Sequence, residues 1–315
     1  MPLDLSALEN QNRILMEVPL KPVQGQRFQP TGFPDLGAAT YQAGGTACLL
    51  VESAQSMANR LEGTIWDEGQ NEPIEVGKGL SYVAVKDSAG NYLTSSMMEA
   101  HRMNSPYIEK SEGDFFKKTF TEAIGIDKTR PVDRVAFLRA LFRFDVNALL
   151  HGVFLESLDG RLRVARAISS FIEAENVQIV ASGGVKNDRV QASKEEGKAA
   201  ADGFGNLPFH REEFTADPIT AYFSIDLQQI RAYGLGTDAE RLLVVLGLLK
   251  VRRLLDGNLR LRTACDLELK NDGPVTARKP VGFNLPDAKD LMAEIKSCIQ
   301  QCRKLMEVTT VTYKK

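Results

Sequence analysis

The stretch from Asp238 to Asp256 constrains the fold more than any other. Leu242, Val245, Leu246, Leu249 and Leu254 recur at the spacing of one helical face, the pattern of a helix laid on a core. Thr237 and Glu240 are spaced as a capping box at its start, and Gly257 supplies a stop. Directly afterwards Leu259, Leu261 and Thr263 alternate with Arg260 and Arg262, as in a half-buried strand.

Weaker signals place the remaining elements. Thr46–Val51 is a short apolar run that reads as a buried strand, and Ser53 is a plausible N-cap for a helix over Ala54–Leu61. Leu149–Leu155, Val177–Ala181 and Thr220–Ile230 read as strands and Pro286–Met306 as a final helix. Leu3–Val18 reads as a short amphipathic helix, followed by a loop dense in breakers (Pro19, Pro22, Gly25, Pro30, Gly32, Pro34, Gly37). Residues 63–130 carry strand signals at Tyr82–Val85 and Tyr92–Thr94 and a helical stretch at Phe115–Ile124, and read as an insertion. Pro131 suits the start of a helix bearing Val135, Leu138, Leu141 and Phe142. Residues 186–216 are polar, glycine-bearing and long for a connection, so they read as a projection rather than core. With the insertions set aside the order is strand, helix, strand, strand, helix, strand. That is the order of an α+β, ferredoxin-like or RNA-recognition-motif core.

The chain has 315 residues, 43% of them hydrophobic, which suffices for a packed core. No apolar run approaches the ~20 residues that span a bilayer, and the first residues lack a signal-peptide core, so a cytoplasmic protein is expected. A formal net charge of -2 argues against indiscriminate attraction to nucleic acid. It leaves room for a basic stripe on a balanced chain. Cys48 and Cys265 lie in strand-like stretches and read as packing residues; Cys298 and Cys302 stand one helical turn apart with no further Cys or His nearby. His101, His151 and His210 form no metal-binding or catalytic pattern, and GxSxG, GxGxxG and the phosphate-binding GxxxxGK[ST] are absent. No metal, no cofactor and no catalytic residue is expected.

Several segments carry groups suited to phosphate or bases. Ser53, Gln55, Ser56, Asn59 and Arg60 crowd a helix start, where free N–H groups and the helix dipole favour anions; a plain capped, solvated helix is the alternative. Arg27 and Gln29 sit in a loop with Phe28 and Phe33, which either grips nucleic acid or pins the loop to the core. Arg161, Arg163 and Arg166, followed by Ser169 and Ser170, form a basic stripe that could track a phosphate backbone or simply face water beside Asp159, Glu173 and Glu175. Ser182–Lys186 offers a Gly-Gly backbone nest for an anion, with Asn187 and Arg189 just beyond. Phe204, Phe209, His210 and Arg211 combine hinges, aromatics and cations, as in a wedge or an ordinary surface loop. His151 sits in an apolar run.

The residue strings themselves go further. PLKPVQG from Pro19, RFQPTGFPDLG from Arg27, VESAQSMANRL from Val51 and EAHRMNSPY from Glu99 occur in this order. HGVF from His151, RAISSFIEA from Arg166, SGGVKNDR from Ser182, the run Gly203–Phe214 and RLRTACDLE from Arg260 follow them. Together they resemble the backbone subunit of the type I-G (formerly I-U) CRISPR Cascade complex, of the RAMP superfamily, nearly end to end. The resemblance implies a single RAMP-type domain over residues 1–315: a ferredoxin-like palm, a finger insertion over 63–130 and a thumb over 188–216. It implies a non-enzymatic protein that coats CRISPR RNA in several copies, beside other Cascade subunits, and presents the guide to a target DNA strand. Arg27, Gln29, the helix-start residues, His151, the arginine stripe with Ser169 and Ser170, and Lys186, Asn187 and Arg189 become expected guide contacts, and Phe204, Phe209, His210 and Arg211 expected thumb residues. A metal-dependent RNA-cleaving backbone subunit, as in type III systems, is the alternative.

Overall fold

A computed structural model of the chain describes residues 3–33, 35–126, 129–158, 160, 162–186, 207–257 and 259–314. Arg161, Asn187, Arg189 and Phe204 lie outside the described residues. The first half runs β1 (Arg13–Pro22), β2 (Thr40–Ala43), β3 (Thr46–Glu52), α1 (Ala54–Gly63), β4 (Tyr82–Lys86), β5 (Tyr92–Ser95), α2 (Arg134–Phe144) and α3 (Val146–His151). Then follow β6 (Val153–Leu155), β7 (Leu162–Val164), β8 (Ile168–Glu175), β9 (Gln178–Lys186), β10 (Leu207–Thr215) and β11 (Ile219–Asp226). The last part is α4 (Leu227–Ala232), α5 (Thr237–Asp256), β12 (Leu259–Arg262), β13 (Cys265–Leu269), α6 (Ala288–Cys302) and β14 (Val308–Thr312).

The main sheet has seven strands in the order β12-β13-β1-β11-β8-β3-β2, and every neighbouring pair in it is antiparallel. Its middle, β13-β1-β11-β8, is the strand order of a ferredoxin-like βαββαβ core in which α1 and α5 are the crossover helices. The fold is therefore α+β as expected. One face of the sheet is dry: Ile14, Met16, Val18 and Leu20 of β1 are buried, as are Ile168, Ile172 and Ala174 of β8 and Ile219, Ala221, Phe223 and Ile225 of β11. α5 covers that face and is buried on nearly all sides, including the side chain of Lys250. Among the described residues no helix is long and apolar enough to cross a membrane.

Several expectations need correction. Leu3–Val18 is not a helix: a single 3-10 turn at Ser6–Leu8 precedes β1. The alternation of Ile14, Met16, Val18 and Leu20 has period two, and β1 runs through Pro19 to Pro22, inside the stretch read as loop. Thr237 is the first residue of α5 rather than its cap. Gly236 caps the helix at φ 93° without a side-chain bond, and Glu240 pairs with Arg231 at 3.3 Å. α2 begins at Arg134, because Asp133 accepts the N–H groups of Val135 and Ala136 at 2.9 and 3.0 Å. Leu149–Leu155 is the end of α3 followed by β6, not one strand; a segment buried on all sides shows no period to read.

The Gly183-Gly184 pair does not end its strand or form a nest. β9 continues through it to Lys186, paired with β10 throughout. A Cβ at Gly183 would lie 2.3 Å from the Phe209 carbonyl oxygen, and one at Gly184 would lie 3.2 Å from the Phe209 ring. At Gly183 the partner strand's backbone takes the space, and at Gly184 the Phe209 ring does. Within the segment read as a projection, β10 is regular strand. Its far end is anchored: Phe214 is buried, and it exchanges both backbone hydrogen bonds with Phe28 at 2.9 Å. Phe28 is thus a core residue, while Phe33 is 46% exposed.

Candidate nucleic-acid interface

α3 stops at His151 because Gly152 adopts φ 79°, where a Cβ would come within 2.8 Å of the Val164 carbonyl oxygen. The chain then turns into β6, which pairs with β7 so that Phe154 stands directly opposite Arg163. Both side chains face water, the ring 49% exposed. Arg163 has no ion pair or hydrogen bond to any described residue. Beside this pair opens a groove of about 850 Å³, lined also by His101, Arg102, Asn104, Arg134, His151, Glu156 and Arg166. Arg166 donates to the Ala54 carbonyl at 3.1 Å, so the groove meets the start of α1. Burial, and the positive charge of Arg102, lower the pKa of Arg166, while Glu62 opposes them. An exposed aromatic next to unpaired guanidinium groups offers a base a stacking face and a phosphate a counter-charge.

The groove floor is a buried polar network. Arg102 grips Glu62 with two parallel bonds, Nε–Oε1 at 2.7 Å and a terminal nitrogen to Oε2 at 2.8 Å. Asn147 Nδ2 donates to Glu62 Oε1 at 2.7 Å. Lys250 Nζ donates to Asn147 Oδ1 and stands 2.8 Å from His151 Nε2. Burial pulls the Lys250 ammonium down to about 7 and pushes the neighbouring Asp145 carboxyl up to about 7. Burial, then the charges of Lys250, Arg102 and Arg166, hold His151 well below the usual imidazole range. His151, expected both within an apolar run and as a guide contact, is a neutral ring in the groove floor, 1% exposed.

The other expected contacts fall into two further places. At the α1 start Ser53 caps the helix, its Oγ accepting the Ser56 N–H at 3.3 Å, while Gln55 and Asn59 are exposed. Arg60 is not available: it donates to the Leu261 carbonyl at 2.6 Å and the Arg260 carbonyl at 3.3 Å, and pairs with buried Glu52 at 3.4 Å. Arg60 is thus a brace between α1 and β12, the strand whose Arg262 also reaches Glu52. Gln29 is half-buried, and its carbonyl accepts from Arg262 at 3.0 Å. Ser170 points into the core and Ser169 to the opposite face of β8. At the base of the β9–β10 hairpin Arg27 and Arg211 share the buried carboxylate of Glu213, Arg27 at 3.2 Å. Phe209 and His210 are exposed nearby, as is Lys186.

So the structure gathers Arg163, Arg166 and His151 into one groove and leaves Arg27, Arg211 and the helix-start residues outside it. It adds His101, Arg102, Asn104, Arg134 and Phe154, which sequence reasoning missed. Two signals pointed toward them: His101, Arg102 and Asn104 sit together in an aperiodic stretch, and Phe154 follows His151-Gly152.

The family model described as CRISPR-associated protein GSU0053 matches residues 14–179, just over half of the chain. No curated protein matches. Among solved structures, a chain of a "CRISPR RNA-guided surveillance complex, pre-nicking" overlays with a TM-score of 0.36 at 14% identity, covering 93% of this chain and 88% of that one. A chain of a "CRISPR RNA-guided surveillance complex" overlays at 0.34 and 12% identity, covering 82% and 72%. Overlays this loose leave residue correspondence open.

Proposed function

Because the chain belongs to the CRISPR-associated protein GSU0053 family, we propose that it coats CRISPR RNA as the repeated backbone subunit of a type I-G Cascade complex. It holds the guide for pairing with a target DNA strand and acts without cleaving either. The observation that carries this reading is the groove in which exposed Phe154 pairs across two strands with Arg163, which has no partner among the described residues, beside Arg166 and Arg134. Such a surface grips a single-stranded backbone without reading its sequence, leaving sequence to base pairing. Residues 63–130, which bring His101–Asn104 to the groove, serve as fingers. Residues 188–216 serve as the thumb that meets the guide–target duplex or the next copy. Other Cascade subunits complete the particle in the cytoplasm.

The test is size-exclusion chromatography of the protein with and without a guide RNA, beside a variant with Arg134, Arg163 and Arg166 all replaced by Ala. The wild type should shift to a large species only with guide, and the triple variant should stay small with every spacer sequence. An unchanged elution profile for the wild type sinks the reading. Adding Mg²⁺ and following RNA integrity separates it from the metal-dependent RNA-cleaving alternative.

A further inference from the structure

Arg102 is held in a way that a structural ion pair alone does not need. Its backbone sits at φ 51°, a left-handed conformation that a non-glycine residue rarely adopts and that persists only where the surroundings over-determine it. Its side chain is 8% exposed and its partner Glu62 is 6% exposed. One edge of the guanidinium is fully engaged by Glu62. The remaining terminal nitrogen donates to no described residue, and Arg102 lines the groove. A second buried group in the same floor is also unmatched, since His151 Nδ1 has no hydrogen-bond partner. Nε2 stands 2.8 Å from Lys250 Nζ; where Lys250 is the donor of that bond, the ring proton sits on Nδ1 and both unmatched groups are donors.

We infer that the groove floor is a built oxyanion subsite, in which the free edge of Arg102 and the Nδ1–H of His151 take an oxygen of a backbone phosphate. Glu62, Asn147 and Lys250 are its positioning residues. Glu62 fixes the plane of the guanidinium, Asn147 joins Glu62 to Lys250, and Lys250 sets the tautomer of His151. The chain of contacts links α1, α3 and α5 to the floor, so the donors are pre-organised by the core rather than by the ligand. This inference rests on the groove being the RNA-binding surface, and it adds a specific subsite beneath the cations of the rim.

The experiment measures guide-RNA affinity by fluorescence anisotropy against NaCl concentration. Removing Arg102 alone would leave a buried carboxylate unpaired, so the variant is the double replacement Glu62→Gln with Arg102→Met, its folding checked by circular dichroism melting. The expected result is a cooperative melt and a slope of log affinity against log salt lower by about one, with binding weaker by about tenfold. A folded double variant with the wild-type slope overturns the subsite. Arg102→Lys keeps the buried charge pair and loses the fork, and covers the case in which the double variant does not fold. It should bind several-fold more weakly at an unchanged slope, and wild-type affinity overturns the inference. Lys250→Met should also weaken binding several-fold without altering the slope, and wild-type affinity removes the positioning role. Arg163→Ala, run in parallel, tells the two levels apart. If it too binds as wild type, the groove itself is not the RNA surface; if it weakens binding while the Arg102 variants do not, only the subsite fails.

Discussion

At the groove floor Glu62, Arg102, Asn147 and Lys250 are buried and bonded to one another, whereas along the β9–β10 hairpin Ile179, Val185 and Phe209 stand 51–61% exposed. The hairpin is a two-stranded sheet of its own, joined to the rest of the described residues at its base through the Phe28–Phe214 pair; the floor is tied to three helices. The two regions show different ways of preparing for a partner. The floor fixes its donors in advance and commits core stability to doing so. The hairpin leaves apolar surface uncovered, which gains burial only when another molecule supplies the other side. Ligand contact at the floor should therefore be coupled to global stability, and contact at the hairpin should not.

One strand tests that contrast directly, because β10 carries both kinds of residue. Phe214→Ala removes a buried ring bridged to Phe28 and should cost about 3–5 kcal/mol in urea unfolding. Phe209→Ala should change stability by no more than about 0.5 kcal/mol, while shortening the assemblies formed on guide RNA. Equal losses for the two would mean that the hairpin is core along its whole length, and the contrast would break.

The floor can be probed by pH. Lys250 has its pKa lowered by burial from 10.5 to about 7. Above pH 7 the unfolded chain holds a proton there that the folded chain has released, so this group makes stability rise with pH. Below pH 7 Asp145, raised, and His151, lowered, contribute with opposite signs, so the window from about pH 7 to 8.5 isolates Lys250 best. There the wild type should gain stability relative to Lys250→Met, by at most about 1.4 kcal/mol per pH unit. Parallel pH profiles for the two proteins would show that Lys250 is not part of a desolvated network.

A subtler comparison sets engaged groups against free ones at the groove margin. Ser53 uses its Oγ to cap α1, so Ser53→Ala should lower stability by about 1 kcal/mol and leave guide affinity nearly unchanged. A large loss of affinity at unchanged stability would return Ser53 to the list of guide contacts.

The sequence made the capped helix α1, the long helix α5 and the βαββαβ order legible because each shows a clear period or a local stop. Its failures have physical causes. In β1 the apolar residues from Ile14 read as a helix face, and Pro19 and Pro22 read as breakers, although the strand runs through both. α3 is buried on every side, and such a segment cannot be told from a strand by pattern. Arginine identity says nothing about engagement: Arg60 and Arg262 brace β12 and Glu52, while Arg163 has no partner among the described residues. Arg102 and Lys250 were invisible as a pair because 148 positions separate them in the chain and only the folded packing brings them to the two ends of the Glu62–Asn147 hydrogen bond.

That distinction between a free cation and an engaged one is sharpest at the Phe154–Arg163 pair. Arg163 is exposed and has no partner among the described residues, so Arg163→Ala should leave the melting curve within about 0.5 kcal/mol of wild type. If Arg163 neutralises one phosphate, the salt slope of guide binding should fall by about one unit, equally for all spacer sequences. Phe154→Ala on the opposing strand should behave differently. It removes a stacking face and no charge, so affinity should fall by about 1–3 kcal/mol while the salt slope stays at the wild-type value. Anisotropy titrations at four or five salt concentrations measure both. The two variants giving the same change in slope would mean that the pair acts as a packed unit holding β6 to β7, not as a charge and a platform facing the guide. In that case the free groups of this groove would have to be sought on Arg134 and His101 instead.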